Sequence, residues 1–588
     1  CNKVGGIHTV IATKALSLEN ELKNNYILIG PDVWRDIERN PEFIEDTQLF
    51  SSWKNKAYEE GLIVRIGRWN IPSNPIAIIV DFTKFIPQKD ELFKKFWEDF
   101  KLDSINGQWD YVEPALFGYA AGRVIESFTN FHLSFRHRIV AQFHEWMTGT
   151  GLLYLKSNLP QVGTIFTTHA TVLGRCIAGN NIPLYSKLDK YNADNKAREF
   201  NVTSKQSLEK ISAINADCYT TVSDLTAKEC IQFHEKPVDL VTPNGFDNSI
   251  VPVDEEFKLR RIEARIKFFE VAEALLAHDV SKDSTIVCTS GRYEFKNKGI
   301  DVFIDALGKL NKYDGLEKEV LAFILIPANH HGPRKDVFKN LQDKDTDNVI
   351  VLSNSYLTHY LIDPEVDPIL KKIKDVGLNN TNNDKVKIFF VPSYLNGDDG
   401  IFDKHYYDLL IGTDISVFSS YYEPWGYTPL ESLAFHVPTI TTTLAGFGHW
   451  VNAHYTDAHP GITVIPRTDD NDQEVVKQIA ETLRNFVKLD NQERNTIKDN
   501  AFEVSKIALW SNLINFYYKA YNLSLKAVES RTQQFMDRDR KEKLPTIERK
   551  YRINKPNWVR LLVQKNIPEK LTALDELSRN LWWSWNPD

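Results

Sequence analysis

Short, uninterrupted apolar runs alternate with amphipathic segments along the first 250 or so residues, and the same alternation restarts after residue 284. Residues 26–30, 76–80, 139–143 and 164–168 have the length and continuity of strands buried on both faces, and 114–129 between them has helical spacing. Buried strands separated by helices require a parallel sheet covered on both sides. A second set of such runs, 285–289, 320–325, 386–391 and 415–419, lies beyond the charged helical stretch 255–278. The expected fold is therefore α/β, with two doubly wound Rossmann-like domains facing a cleft. The first is expected over 1–254 and the second over 255–505, with a polar helical insert near 354–384. A helix over 506–528 is expected to cross back to the first domain, and 529–588 to be a charged linker, its 531–552 part either linker or exposed helix, leading into a truncated segment. Ligands in such sheets bind at the carboxyl ends of strands, which is where site residues are sought.

Composition narrows the function classes. A net charge of −8 over 588 residues argues against nucleic acid or an anionic membrane as partner, since both demand a cationic excess. No apolar run approaches the roughly 20 residues that span a bilayer. The five cysteines, Cys1, Cys176, Cys218, Cys230 and Cys288, are scattered without a CxxC pair, so neither a zinc site nor a disulfide framework is expected. A reducing, cytoplasmic setting fits this usage. The insert near 354–384 reads either as a solvated excursion or as a contact between copies in a homo-oligomer.

The densest chemistry lies at 421–435, where Pro424, Gly426 and Pro429 impose a loop after a buried strand. Thr428 suits a helix N-cap, with Pro429 at the first helical position and Glu431 completing a capping box. Free N–H groups of Tyr427 and Thr428 would then face a phosphate. Glu431 is either the capping carboxylate or a ligand of ribose hydroxyls, and the two roles are compatible. Glu423 lies in the loop, where no cap explains it. A loop and a helical turn separate the two acids, so separate duties are expected rather than the close pair of a retaining hydrolase. At 290–299, Arg292 and Lys298 flank a glycine-punctuated turn, again after a strand. A nucleotide diphosphate leaves with negative charge, and cations there would neutralise it without a metal. His144, Glu145, His169 and Arg175 each follow a strand and are expected at the cleft edge. Gly5 and Gly6 allow close backbone approach to a ligand. Asp398–Asp403 reads as a solvated turn in preference to a cation site, and no metal or cofactor is expected. No P-loop pattern is present.

Taken in order, KVGGI (3–7), FHEW (143–146), TTHATVLGR (167–175), TTVSD (220–224), VTPNG (241–245), GRYEFKNKG (291–299), DPILKKIKDVGL (367–378), SYYEPWGYTPLES (420–432) and GFGHW (446–450) resemble the eukaryotic-type glycogen synthases. The resemblance runs over about residues 1–525. It implies retaining transfer of glucose from uridine diphosphate glucose to a glycogen-like α-1,4-glucan in a cleft of the GT-B type. By the same resemblance Arg175, Arg292 and Lys298 bind the diphosphate, helped by the amides of Tyr427 and Thr428. Glu423 contacts the transferred glucose and Glu431 the ribose, while His169 and Glu145 lie around sugar and acceptor. Lys3, Gly5, Gly6 and Asn244 complete the implied nucleotide-sugar set. The arginine-rich helix through which eukaryotic enzymes are regulated is replaced here by scattered charges, Arg531, Arg538, Arg540 and Lys541, mixed with acids. The final stretch, 567–588, resembles the opening of α-glucan phosphorylases, which implies a longer, fused polypeptide.

Overall fold

A computed structural model describes residues 5–33, 42–133, 137–342, 350–455 and 459–541. In the second half, six parallel strands form one sheet in the order Val386–Val391, Val320–Leu325, Thr285–Ser290, Ile415–Val417, Thr439–Thr442, Ile462–Ile465. The alternation along each strand explains why the runs are apolar throughout. Val320, Ala322 and Ile324 enter one core while Leu321, Phe323 and Leu325 enter the other, so both faces are covered.

The first half carries two four-stranded sheets. Val140–His144, Gly163–Thr168, Cys218–Thr221 and Leu240–Val241 run parallel in that order. The other, ordered Ile27–Pro31, Ile76–Val80, Val64–Trp69, Phe43–Glu45, is mixed. Its strand Val64–Trp69 lies antiparallel to both neighbours, a departure from the purely parallel expectation. A single apolar core, from Trp53 and Ile78 to Phe143 and Tyr219, joins the two sheets through the helices Trp109–His132 and Gly149–Asn158.

The insert and the last helix refine the sequence expectation. The insert near 354–384 holds a short strand, His359–Leu361, and one nine-residue helix, Pro368–Val376, rather than a helical excursion. Asp367 caps that helix and Gly377, at φ 77°, ends it, so its length is fixed from both sides. The last helix is continuous over Trp510–Lys541, with no break at residue 529. It lies on the parallel sheet of the first half, where Ala520 and Tyr521 cover Val140, Ile165, Cys218 and Leu240. Arg531 then anchors it to Asp217, which Lys156 also holds at 2.7 Å. The phosphorylase-like stretch 567–588 lies outside the described residues. No helix among the described residues is long and apolar enough to cross a membrane.

Candidate active site

The strand Thr285–Ser290 delivers the loop carrying Arg292, Glu294 and Lys298 to the carboxyl edge of the second sheet. Gly299 closes this loop at φ 66°, and a Cβ there would fall inside the radius of the Ser419 carbonyl oxygen. Only glycine lets the two loops touch. The contact is reinforced by the amides of Tyr421 and Tyr422, which donate to the Asn297 carbonyl at 2.8 and 3.0 Å.

The helix after the second loop runs Tyr427–Ala434 and begins two residues earlier than Thr428 as cap would allow. Gly426 occupies the cap at φ 107°, and no side chain bonds the first turn. Tyr427 and Thr428 are therefore the first two helical residues, their N–H groups left for a ligand, and Pro429 in third place carries none. An uncapped helix start of this kind favours an anion. The early start also removes the capping-box account of Glu431, which lies a full turn into the helix. Its buried carboxylate accepts the Tyr407 hydroxyl at 2.8 Å, and burial pushes its pKa up to about 7.

The structure brings the predicted cations together and gives each a carboxylate. Lys298 pairs with Glu423. Arg292 pairs with Glu294 at 3.0 Å, and Arg175, from the helix Val172–Gly179 of the first half, reaches the same Glu294 oxygen at 3.5 Å. Burial works against the Arg175 charge, but Tyr422, Glu294, Glu145 and Glu423 outweigh it and hold its pKa above the usual arginine value. Arg175 and Arg292 are partly solvent-exposed, so these pairs are weak and exchangeable for another anion. Glu423 and Glu431 keep different company, one against a lysine and one against a tyrosine.

In the first half, Glu145 follows the strand Val140–His144 with φ 66° and ψ 163°, a backbone region otherwise left to glycine. The conformation is held from several sides. Its amide donates to Thr167 O at 2.9 Å, and its carboxylate accepts the amides of His169 and Ala170 at 2.8 and 3.1 Å. Burial, and then the charge of Glu209, pushes the Glu145 pKa up to about 8. His144 Nδ1 and His169 Nε2 lie 2.9 Å apart. Burial first, then Lys14, depresses both imidazoles, His169 to about 3, so the pair is uncharged at neutral pH.

The remaining predicted residues are placed as follows. Gly5 and Gly6 open the helix Gly5–Leu22, and a Cβ at Gly6 would meet nothing within 4 Å. Lys3 lies outside the described residues. Asn244 is buried and accepts the Tyr517 hydroxyl at 3.1 Å, while the Tyr427 hydroxyl donates to the neighbouring Gly245 carbonyl at 3.3 Å. In the Asp398–Asp403 turn, Asp399 accepts the amides of Ile401, Phe402 and Asp403, which occupies it structurally. Among the described residues no cluster suits a metal ion.

Sequence reasoning missed the residues that join the halves. Buried Glu229 accepts hydroxyls from Thr171 (2.5 Å), Tyr185 (3.3 Å) and, across the cleft, Tyr422 (3.1 Å). Asp469 of the second half accepts the Ser186 amide at 2.7 Å and the Tyr421 hydroxyl at 2.5 Å. Glu294 belongs with them. The paired tyrosines at 421 and 422 were the only local signal, since aromatic residues with hydroxyls beside a cleft need polar partners.

Comparison with known proteins agrees with this geometry. A family model described as glycogen synthase matches residues 1–344 and 351–564. The liver glycogen [starch] synthase of Rattus norvegicus is 30% identical over 580 residues, covering 89% of this chain and 82% of that protein. Isoform 2 of Saccharomyces cerevisiae glycogen [starch] synthase is 28% identical over 603 residues, covering 89% and 85%. Among solved structures, the catalytic domain of Arabidopsis thaliana starch synthase IV, bound to ADP and acarbose, superposes with a TM-score of 0.53 at 14% identity. That likeness covers 89% of this chain and 97% of the other, and shows a shared fold.

Proposed function

Because this chain belongs to the glycogen synthase family, we propose that it transfers glucose from uridine diphosphate glucose to the non-reducing end of an α-1,4-glucan with retention of configuration. The observation that carries this reading is the convergence of Arg175, Arg292 and Lys298, from both halves, in front of an uncapped helix start. Three cations and two free amides match the charge of a diphosphate better than that of any neutral ligand.

In the proposed reaction the bond between the anomeric carbon and the β-phosphate oxygen breaks, and the departing electron pair stays on the phosphate. Arg175, Arg292, Lys298 and the amides of Tyr427 and Thr428 stabilise that charge as it develops. The acceptor's 4-hydroxyl attacks the same face, and its proton passes to the departing phosphate. Diphosphate binding would displace Glu294 from the two arginines and leave Glu423 beside the glucose. Glu431 receives the ribose hydroxyls, Gly5, Gly6 and Asn244 line the donor, and Glu145 and His169 face sugar and acceptor; Lys3 is assigned to the donor by the family resemblance alone. The scheme invokes no cofactor or metal. Closure of the halves excludes water and limits hydrolysis of the donor.

The same reading divides the chain into an acceptor-side domain over 1–254 and a nucleotide-sugar domain over 255–505, in a cytoplasmic enzyme. The separate apolar cores support the division. Association of copies through the insert is supported by its exposed Tyr360, Ile362 and Val366. Fusion to a phosphorylase-like domain rests on the sequence of 567–588 alone. Incubation with labelled uridine and adenosine diphosphate glucose plus glycogen tests the reaction. Label in glycogen from the uridine donor is expected, and no incorporation from either donor would overturn the assignment.

A further inference from the structure

Glu229 lies in the helix Asp224–His234 of the first half, and its carboxylate is buried where that half meets the second. One oxygen, Oε2, accepts two hydroxyls. The first belongs to Thr171, which caps the helix carrying Arg175 by taking the Gly174 amide at 3.0 Å. The second belongs to Tyr422 of the opposite half, 3.1 Å away and next in sequence to Glu423. The other oxygen, Oε1, accepts the Tyr185 hydroxyl, from the first half again, at 3.3 Å. A buried carboxylate is costly even when donors surround it, and an apolar side chain would fill the space without that cost. Packing alone does not explain an acid here.

Its surroundings do. Gly174 sits within the helix Val172–Gly179, where alanine is the better helix former. A Cβ there would overlap Glu229 Oε2, and would lie 2.5 Å from Thr171 Oγ1 and 2.9 Å from the Tyr422 oxygen. Glycine thus leaves room for this junction. Two more buried acids hold the same turn within the first half: Glu209 accepts the Val172 amide at 3.0 Å, and Glu145 accepts those of His169 and Ala170. Tyr422 then refers that fixed turn to the second half. Its own amide donates to the Asn297 carbonyl at 3.0 Å, beside Lys298, and Lys298 pairs with Glu423.

We propose that Glu229 is a positioning residue: by joining Thr171 to Tyr422 it sets Arg175 in register with Lys298 and Glu423 across the cleft. This rests on the reading of Arg175 and Lys298 as ligands of the diphosphate and of Glu423 as the group beside the glucose. Stabilisation of a leaving phosphate falls off steeply when its cations are misplaced, so register between the halves enters kcat. The rim of the cleft has ties of its own. Asp469 accepts the Ser186 amide at 2.7 Å, and the Tyr421 hydroxyl oxygen accepts the Leu184 amide at 2.9 Å. Loss of the junction bond therefore shifts alignment without parting the halves.

The test compares two variants of the full chain at about pH 8, above the value of about 7 to which burial raises the Glu229 carboxyl. Tyr422→Phe and Tyr185→Phe each remove one hydroxyl from the same buried carboxylate, but only the first severs a link between halves. Tyr422→Phe is expected to lower kcat for glucosyl transfer about ten-fold with KM for the glucan unchanged. Amide hydrogen exchange in peptides covering 171–179 should quicken about five-fold in the same variant. Tyr185→Phe leaves the alignment intact and should keep kcat within about two-fold. Glu229→Gln should lose at least as much as Tyr422→Phe, and the double variant no more than Glu229→Gln alone, since both cut one link. Equal losses in the two tyrosine variants, additive losses in the double variant, or unchanged exchange in Tyr422→Phe would each overturn the proposal. Should Glu229→Gln fail to fold, Gly174→Ala probes the same junction, and wild-type kcat in it would overturn the proposal equally. A wild type without glucosyl transfer would sink the reading of the site instead, and the exchange comparison, which needs no turnover, would still decide the link.

Discussion

Replacing Tyr407 by phenylalanine perturbs the surroundings of Glu431 at one atom. The Tyr407 ring stacks on Phe435 at 5.2 Å with an interplanar angle of 5°, and phenylalanine keeps that contact. What is lost is the hydroxyl that donates to Glu431 at 2.8 Å. Burial alone raises the Glu431 pKa, and this hydroxyl is the one group working the other way, leaving it at about 7. A hydrogen bond to a charged group contributes about 1.5–3 kcal/mol. Part survives in the protonated form, so the lower end applies, and at 1.36 kcal/mol per unit the pKa should rise by about one unit. If the carboxylate form binds the ribose hydroxyls, kcat/KM for the donor falls in wild type as pH drops through 7. In Tyr407→Phe that acid limb moves up by about one unit. At pH 7 the ionised fraction falls from about one half to about one tenth, so kcat/KM should drop roughly five-fold there and recover by about pH 9. Glu431→Gln should be low and flat in the same range. The measurement is initial rate against donor concentration across pH, and a Tyr407→Phe limb coincident with wild type would refute the reasoning.

Other expectations follow from the same geometry. If Arg292 and Lys298 stabilise the leaving group as proposed, Arg292→Ala or Lys298→Ala should lower kcat by about 100-fold or more in single-turnover assays; near-normal turnover would exclude the role. Gly299→Ala sets a Cβ against Ser419 O and strains a φ of 66°, so it should lose activity together with stability in urea titrations, whereas an unchanged midpoint would show that the loops yield cheaply. Asp414 is buried between Arg261 (2.7 Å), Arg265 (2.8 Å) and Lys498 (3.6 Å) at the foot of the second sheet. Asp414→Ala leaves those cations unpaired and should cost about 3–5 kcal/mol, read from the urea midpoint.

The strands 320–325 and 386–391 were legible to the residue because a run buried on both faces has no polar position to blur its ends. Val64–Trp69 was missed, although Val64, Ile66 and Trp69 are buried and Arg65 and Arg68 are not. Its two arginines look like a surface helix when the partner strands are unknown. At 426–428 local grammar misled: Thr-Pro is a good cap and first residue, but the close packing of Gly426 against Glu423 and Pro429 sets the turn earlier. Arg175, Arg292, Lys298 and Glu423 stand out from local context, and the structure gathers them. Their carboxylate partner Glu294 and the cross-cleft acceptors Glu229 and Asp469 depend on contacts between distant segments, which no local pattern encodes.

The helix Trp510–Lys541 covers a sheet face whose last strand ends at Val241. During synthesis about 270 residues separate that strand from its cover, and at about 5–20 residues per second the ribosome needs roughly 15–55 seconds to deliver it. Throughout that interval Val140, Ile165, Cys218 and Leu240 remain wet and adhesive on a nascent chain. The amino-terminal half expressed by itself should therefore clump or recruit chaperones, whereas supplying 510–541 as a separate peptide should rescue it.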